Sequence, residues 1–260
     1  MNKTVKISLI VGSILICIGL IVVLAVGFTS GWNFATAWEY RVYETGEDIF
    51  EIDLEFSAGA LKVEFYDGDT IKVEYHESRE FTTKFTLSGR TLRIATTQVR
   101  WYSSFMWFNK IPETKMYIPQ NMQLGLKMQV NAGSVNFGAG TFDDVDIKIN
   151  AGAISMSDVN CSSFKVDMNA GAVNVSQIVS SSFRADVSAG SLHVKSLKCD
   201  DIGLDLSAGS AKLNIVGKKS DYTIRTDVSA GSCNVSSQSG GSKRLTVDVS
   251  AGSVTINFDE

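Results

Sequence analysis

Residues 164–175 read FKVDMNAGAVNV, and this stretch decides the fold. On both sides of Asn169-Ala170-Gly171, apolar and polar residues alternate with a period of two. Such alternation is typical of β-strands with one buried face, because successive side chains point to opposite faces of a strand. The stretch therefore predicts two short strands joined at an Ala-Gly corner, where glycine permits backbone angles that other residues avoid.

The corner motif, Ser or Asn followed by Ala, Gly and Ser or Ala, occurs eight times along the chain. Its glycines are at positions 59, 133, 152, 171, 190, 209, 231 and 252, so five consecutive copies are 19 residues apart. A fixed period near 20 residues is the signature of stacked repeats. We therefore predict an all-β fold, a single-stranded parallel β-solenoid whose coils of about 19 residues contain two strands each.

Aligning the repeats on the glycine separates the apolar residues into columns. Large apolar residues occupy most positions seven, five and three before the glycine, and two and four after it. In the repeat around Gly171 these positions hold Phe164, Val166, Met168, Val173 and Val175. These columns are predicted to fill the interior, and the positions between them to face solvent.

A column of acidic residues runs along the predicted outer face, four positions before the glycine. It consists of Asp167, Asp186, Asp205, Asp227 and Asp248. Basic residues six positions before the glycine are close enough to interleave with this column as a ladder of surface ion pairs; they are Lys127, Lys165, Arg184 and Arg225. The alternative is a cation site, since hard cations prefer several carboxylate oxygens.

The N-terminal region contains an apolar segment, residues 7–28, in which no residue is charged and only Ser8 and Ser13 are polar. Its 22 residues are long enough, at about 1.5 Å each, to span a hydrocarbon core of about 30 Å as a transmembrane helix. Lys3 and Lys6 precede the segment, so the positive-inside rule places the N-terminus in the cytoplasm and the rest outside. The alternative is a cleavable signal peptide ending near residues 25–27.

We divide the chain into four parts. They are a cytoplasmic stub with the transmembrane anchor (1–30), a juxtamembrane linker (31–48), an N-terminal β cap with the first coil (49–120) and the solenoid repeats (121–260). Alternating residues on both sides of the Asp67-Gly68-Asp69 turn signal predict antiparallel strands that protect one end of the solenoid.

One unrepeated segment after this cap region is rich in large apolar side chains. It contains Trp101, Tyr102, Phe105, Met106, Trp107 and Phe108. Either the segment is a loop folded back over the cap, or it is a patch that contacts a partner or a membrane. These six residues are the candidate partner-binding site of the chain.

The composition argues against several classes of function. With 24 Lys and Arg against 28 Asp and Glu, the formal charge of −4 offers no electrostatic basis for binding nucleic acid. Only two histidines are present, and histidine is the commonest general base and metal ligand. We predict no catalytic residue, no cofactor and no small-molecule substrate. Cys161 and Cys199 fall two repeats apart, about 9–10 Å, which is too far for a disulfide.

Several short segments outside the corners carry a family resemblance. They are Leu61-Lys62-Val63-Glu64, the turn at 67–69, residues 89–94 and Met116-Tyr117-Ile118-Pro119. Together with the Ala-Gly repeats, they resemble the bacterial adhesin-like β-strand-repeat proteins, a domain family of unknown function common in Gram-positive membranes. The resemblance covers residues 48–260 and implies a role in the cell envelope beside stress-response systems, with no catalytic residues to transfer.

These features lead to three hypotheses about function. The first is a membrane-anchored, extracytoplasmic binding or scaffold protein of the envelope, adhesin-like, with a cell-wall or envelope-protein partner. The second is an accessory sensor or regulator of an envelope stress response. The third, disfavoured, is a polysaccharide-acting enzyme, which would need paired carboxylates or a positioned base in a cleft.

Overall fold

Alternating apolar and polar residues form strands with one buried face, as the sequence predicts. The computed structural model describes residues 37–98 and 111–259, where the regular structure is β-strand apart from one short 3-10 helix, Lys219–Asp221. This confirms the all-β class. The predicted transmembrane helix, residues 7–28, lies outside the described residues, and within them no helix has the length and apolarity to cross a bilayer.

The strands of the described residues belong to one sheet. They are β1 (Glu39–Thr45), β2 (Glu51–Phe56), β3 (Ala60–Tyr66), β4 (Ile71–Glu77), β5 (Phe81–Ser88), β6 (Thr91–Gln98), β7 (Thr114–Pro119), β8 (Leu124–Val130), β9 (Ser134–Phe137), β10 (Gly140–Ile149), β11 (Ala153–Asn160), β12 (Ser163–Met168), β13 (Ala172–Val216), β14 (Tyr222–Cys233) and β15 (Lys243–Asp259). Neighbouring strands follow the order β1-β4-β7-β3-β9-β11-β13-β12-β10-β8-β2-β6-β5, and β15 pairs with both β13 and β14.

Consecutive repeats pair in parallel, displaced by one repeat length. Val145 lies opposite Phe164 in the β10–β12 pair, and Phe164 lies opposite Phe183 in the β12–β13 pair. The columns found by aligning the sequence on its glycines are therefore the columns that backbone pairing brings together. We call the strands around one corner a coil, and name each coil by its corner glycine.

The corner glycines stack directly on one another. The amide of Ala153 donates a hydrogen bond to the carbonyl oxygen of Gly133, and the amide of Ala172 donates to that of Gly152, both at 2.9 Å. Gly171 has a φ of 133°, and a Cβ atom there would overlap the carbonyl oxygen of Gly152. The motif requires glycine because both the backbone angle and the close approach of two coils exclude a side chain.

The predicted apolar columns fill the interior. All five column positions are buried in the Gly133, Gly152, Gly171, Gly190, Gly209 and Gly252 coils. The Gly231 coil is the exception: Val228 is 39% exposed, and Thr226 and Cys233 are half-buried. The reason is the place of this coil in the stack.

At the C-terminal end, the coils do not stack in the order of the sequence. β15 pairs in parallel with residues 201–206 of β13 on one side and with β14 on the other. Gly252 therefore stacks on Gly209, and Gly231 stacks on Gly252. The Gly231 coil precedes the Gly252 coil in the sequence, but among the described residues it is the last coil in space.

A similar interchange occurs at the other end. Strands β2 and β3, around Gly59, pair in parallel with β8 and β9 on one side and with β6 and β7 on the other. The coil built from β6 and β7 follows the Gly59 coil in the sequence but lies outside it. Stacking of each coil on the next one in sequence, the expectation from a constant repeat, is therefore wrong at both ends.

Antiparallel strands lie beside the β6–β7 coil, as predicted for a cap. β4 pairs with β7, β1 with β4 and β5 with β6, all antiparallel. The Tyr43 ring in β1 stacks on Phe85 in β5 with ring centroids 4.0 Å apart, and Trp38 meets Phe81 edge-on at 6.0 Å. Residues 39–45 of the segment 31–48, predicted as a linker, are thus a strand of the cap, because they complete a β-pair and an aromatic cluster.

Three cysteines lie within the described residues, and all three are free thiols. Cys161 and Cys199 occupy the same column two coils apart, with Ser180 between them. Burial, followed by the charges of Asp144 and Cys199, raises the pKa of Cys161 to about 12. The Cys161 thiol is therefore protonated near neutral pH, in the less reactive of its two forms.

Candidate functional site

The acidic column forms as predicted on the outer face of the sheet. Asp167 lies opposite Asp186, Asp205 opposite Asp248, and Asp227 opposite Asp248. The order in space is 167, 186, 205, 248, 227, because of the interchanged coils. Since parallel strands are about 4.8 Å apart, the column places five carboxylates at regular spacing along the stack.

The carboxylates of the column repel one another. Burial, followed by the charges of Asp205 and Asp167, raises the pKa of Asp186, and Lys165 lowers it. Within residues 37–98 and 111–259, no carboxylate of the column lies within 4.0 Å of a Lys or Arg nitrogen. The column is therefore a row of negative charge without direct ion pairs.

The predicted ladder of ion pairs with this column is accordingly wrong. Two of the basic residues proposed for it form ion pairs elsewhere: Lys127 with Glu51 at 2.8 Å and Arg184 with Asp201 at 2.5 Å. Lys165 and Arg225 form no ion pair within the part of the chain that the structure describes. These cations are two positions away along the strand from the acidic column, and Glu51 and Asp201 are better placed to meet Lys127 and Arg184.

Gly203 explains the orientation of Arg184. It occupies the basic column in the next coil, and a Cβ atom there would lie 2.7 Å from Cδ of Arg184. The arginine side chain uses this space to reach Asp201, with Nη2 donating to Oδ2 and Nη1 donating to the carbonyl oxygen at 3.0 Å. The absence of a side chain at Gly203 thus permits an ion pair between Arg184 and Asp201 in neighbouring coils.

An open groove with a volume of about 440 Å³ lies over Gly203, and we call it the Gly203 groove. Its carboxylates are Asp186, Asp205 and Asp248 from the acidic column. Its basic residues are Lys165, Arg184 and Arg244, and Thr246 completes its polar lining. The groove presents an acidic row beside a basic row, and Asp201 partly neutralises the basic one through its contact with Arg184.

Two predictions about sites, the cation site and the aromatic partner-binding site, stay predictions. Among the described residues, no three His, Cys, Asp or Glu side chains come together as a metal-binding group, and the cation site considered as an alternative for the acidic column stays a prediction. The partner-binding candidates, Trp101, Tyr102, Phe105, Met106, Trp107 and Phe108, lie outside the described residues, and that assignment stays a prediction.

Sequence reasoning missed three residues of the groove region. Gly203 replaces a basic residue in one column of the aligned repeats, so the alignment itself marks the position where a side chain is missing. Asp201 could be recognised as an acid two positions before Gly203. Arg244 has no such signal, because it reaches the groove only through the interchanged order of the last two coils.

Comparisons with known structures find distant likenesses. One is a proposed cell adhesion protein from Clostridium sporogenes, 11% identical, with 86% of this chain and 100% of that chain covered and a TM-score of 0.38. Another is a proposed adhesin from Bacteroides fragilis, 9% identical, with 85% and 99% covered and a TM-score of 0.41. At these TM-scores the likenesses carry no argument about this chain.

Comparison with protein families gives a direct match, whereas no curated protein matches the sequence. The model of the Toastrack DUF4097 family, whose members have a domain of unknown function, matches residues 49–260. The match covers the eight corners and every strand from β2 to β15, and β1 of the cap precedes it. It confirms the resemblance to an adhesin-like family of unknown function, and the protein belongs to the Toastrack DUF4097 family.

Proposed function

We propose that this protein is a binding or scaffold protein of the cell envelope, adhesin-like and without catalytic activity. The observation that carries the proposal is the acidic column with the Gly203 groove, in which the same charged group recurs from coil to coil. A ligand with repeated cationic groups can meet several carboxylates at once. Such multivalent contact raises the overall affinity far above that of a single contact.

The proposed architecture is a β-solenoid outside the membrane. Parallel pairing of consecutive coils supports the solenoid. The uncharged segment 7–28, preceded by Lys3 and Lys6, supports a single transmembrane anchor with the N-terminus in the cytoplasm. In this arrangement the acidic column faces the envelope rather than the cytoplasm.

Binding to isolated cell walls tests the role of the acidic column. The comparison is between the full chain and its Asp186→Asn/Asp205→Asn/Asp248→Asn variant, measured by cosedimentation at increasing salt. The variant is expected to bind the walls at least about tenfold more weakly than the native chain, because it loses three of the five aligned charges. A variant that binds as tightly as the native chain would overturn the proposal.

The matched control removes the same number of charges elsewhere. Asp67, Asp69 and Asp158 are exposed acids outside the acidic column. Their triple replacement by Asn is expected to leave wall binding within about twofold of native, since column geometry rather than net charge carries the interaction. Equal loss of wall binding in both variants would show that net charge, and not the acidic column, attracts the protein to the wall.

The membrane anchor has its own test. Carbonate washing of membranes is expected to leave the protein in the pellet, and protease added to intact protoplasts is expected to digest the repeats. Release by carbonate contradicts a transmembrane helix. A mature N-terminus close to residue 27 instead identifies a cleaved signal peptide.

The aromatic segment 101–108 is proposed as the contact with an envelope partner. A photo-crosslinking amino acid in place of Trp107 is expected to trap a partner in living cells. The same amino acid in place of Asp69, an exposed residue of a turn in the described cap, serves as the control. Identical products at the two positions would remove the segment as a specific contact.

A further inference from the structure

Backbone hydrogen bonds at the covered corners all have one direction. In the Gly152 coil, the amides of Asn150, Ala151 and Ala153 donate to the carbonyl oxygens of Val130, Asn131 and Gly133. The Gly133 coil makes the same three bonds to the Gly59 coil. These two corners thus use their amides on the preceding coil in the stack and accept nothing from it, and the bonds donated by Asn169, Ala172 and Ser191 at the next two corners have the same direction.

Within residues 37–98 and 111–259, the Gly231 coil is the last in space, and no following coil pairs with its three carbonyl oxygens. They belong to Val228, Ser229 and Gly231, the positions equivalent to the acceptors of the other corners. The amides of this corner face the Gly252 coil, with which β14 is in register from Tyr222 to Cys233. In the part of the chain that the structure describes, no strand pairs with the opposite edge at residues 228–232.

Only half of this terminal edge is covered. Gln238 exchanges two backbone hydrogen bonds with Ile224, at 2.8 and 2.9 Å, and the Ser237 hydroxyl accepts one from the Thr226 amide at 2.9 Å. Ile224 is accordingly buried at 2% exposure, whereas Val228 is 39% exposed although it occupies an interior column. The open half combines unused acceptors with an uncovered apolar side chain.

We propose that residues 228–232 are a strand-addition site for an extended segment of a second protein. The segment lies parallel to β14, donates backbone amides to the three carbonyl oxygens and places an apolar side chain over Val228. The stack itself indicates this occupant. Where one coil lies on the corner of another, it does so with a backbone segment of small residues, and the amides of that segment are the hydrogen-bond donors. Unpaired strand edges are ready templates for such pairing, and several recognition domains use it.

A second copy of this chain fits the site less well. The donor side of the stack is occupied at the Gly59 coil, where the Ser57 amide donates to Oγ1 of Thr96 at 2.8 Å and β6 and β7 cover the coil. If two copies met at their Gly231 ends, the corner carbonyl oxygens of one copy would face those of the other, and acceptors cannot pair with acceptors. The proposal goes beyond the wall-binding face, since it assigns a different surface to a protein partner.

The test uses a peptide that covers a corner in this chain. Labelled peptide of residues 243–259 is titrated with the full-length protein and followed by fluorescence anisotropy. Saturable binding is expected. A peptide N-methylated at Ala251 and Ser253 lacks two corner donors and is expected to bind at least about tenfold more weakly. Lack of binding, or equal binding of both peptides, overturns the proposal.

A pair of variants locates the bound peptide. Val228→Glu places a charge at the open edge and is expected to abolish binding, whereas Val216→Glu, at an equally exposed valine of β13, is expected to preserve it. Binding that survives Val228→Glu would overturn the proposal, because the peptide would then have displaced β15 or bound elsewhere. The assay contains no cell-wall material, so its failure and the failure of wall binding are separate results.

Discussion

The side-chain amide of Asn257 donates a 2.8 Å hydrogen bond to the side-chain oxygen of Asn214, 43 residues earlier in the chain. The two residues are direct partners in the β13–β15 register. The coil between them in the sequence, around Gly231, lies on the far side of β15. This order brings Arg244 and Thr246 to the Gly203 groove, and it leaves the Gly231 corner at the open end of the stack.

Replacing a stacked corner glycine should be more destabilising than replacing a glycine with a similar backbone in open space. Gly171 and Gly240 have φ values of 133° and 112°, but only at Gly171 would a Cβ atom meet another coil. Gly240→Ala is expected to cost about 1–3 kcal/mol through backbone strain. Gly171→Ala is expected to cost about 2 kcal/mol more, through overlap with Gly152. Urea unfolding measures both, and equal losses would contradict the stacked-corner explanation.

Tyr222 connects the terminal coil to the rest of the stack. Its ring is fully buried, and its hydroxyl donates a 2.6 Å hydrogen bond to the carbonyl oxygen of Cys199. Tyr222→Phe leaves that carbonyl without its donor and is expected to lower the free energy of unfolding by about 1–3 kcal/mol. Tyr40→Phe, at a tyrosine that is 58% exposed, is the control and is expected to change stability by less than about 0.5 kcal/mol.

The raised pKa of Asp186 makes the stability of the acidic column depend on pH. The folded state holds the proton of Asp186 to higher pH than the unfolded state, so this group lowers stability as pH rises above its ordinary pKa of 3.8. Asp186→Asn is therefore expected to raise Tm at pH 7 by about 1–2 °C, with no gain at about pH 3. A lower Tm at pH 7 would show that the carboxylate has a stabilising partner instead. Asp158→Asn, at an exposed aspartate outside the column, is the control for removing one negative charge.

Local patterns of the sequence determine most of the coil structure. The alternation around Gly171 predicts its two strands, and the position of Met168 relative to the glycine predicts its complete burial, as observed. The same alignment predicts the acidic column, because residues at equal distance from the corner must meet when coils stack in parallel. These predictions depend only on the period of a strand and on the constant repeat length.

The order of the coils at both ends has a different origin. Nothing in the spacing distinguishes β14 from β15 as the neighbour of β13, because both present the same Ser-Ala-Gly-Ser corner. The choice depends on the longer segments before β14 and β15, including the turn in which Gln238 returns to pair with Ile224. Arg244 was missed for this reason, and so was the exposure of Val228. The tertiary arrangement overrides a repeat that is locally uniform.

Disulfide trapping of the coil order tests the central claim most directly. Asn214 and Asn257 are partners across β13 and β15, at a separation typical of adjacent strands and compatible with a disulfide. If the coils followed the sequence, Asn214 would instead face Ser236, which lies five residues after Gly231 as Asn214 lies five after Gly209. After mild oxidation and mass-spectrometric mapping, Asn214→Cys/Asn257→Cys is expected to form the bond and Asn214→Cys/Ser236→Cys is not. A bond between 214 and 236, without one between 214 and 257, would contradict the interchanged order, the groove and the open end together.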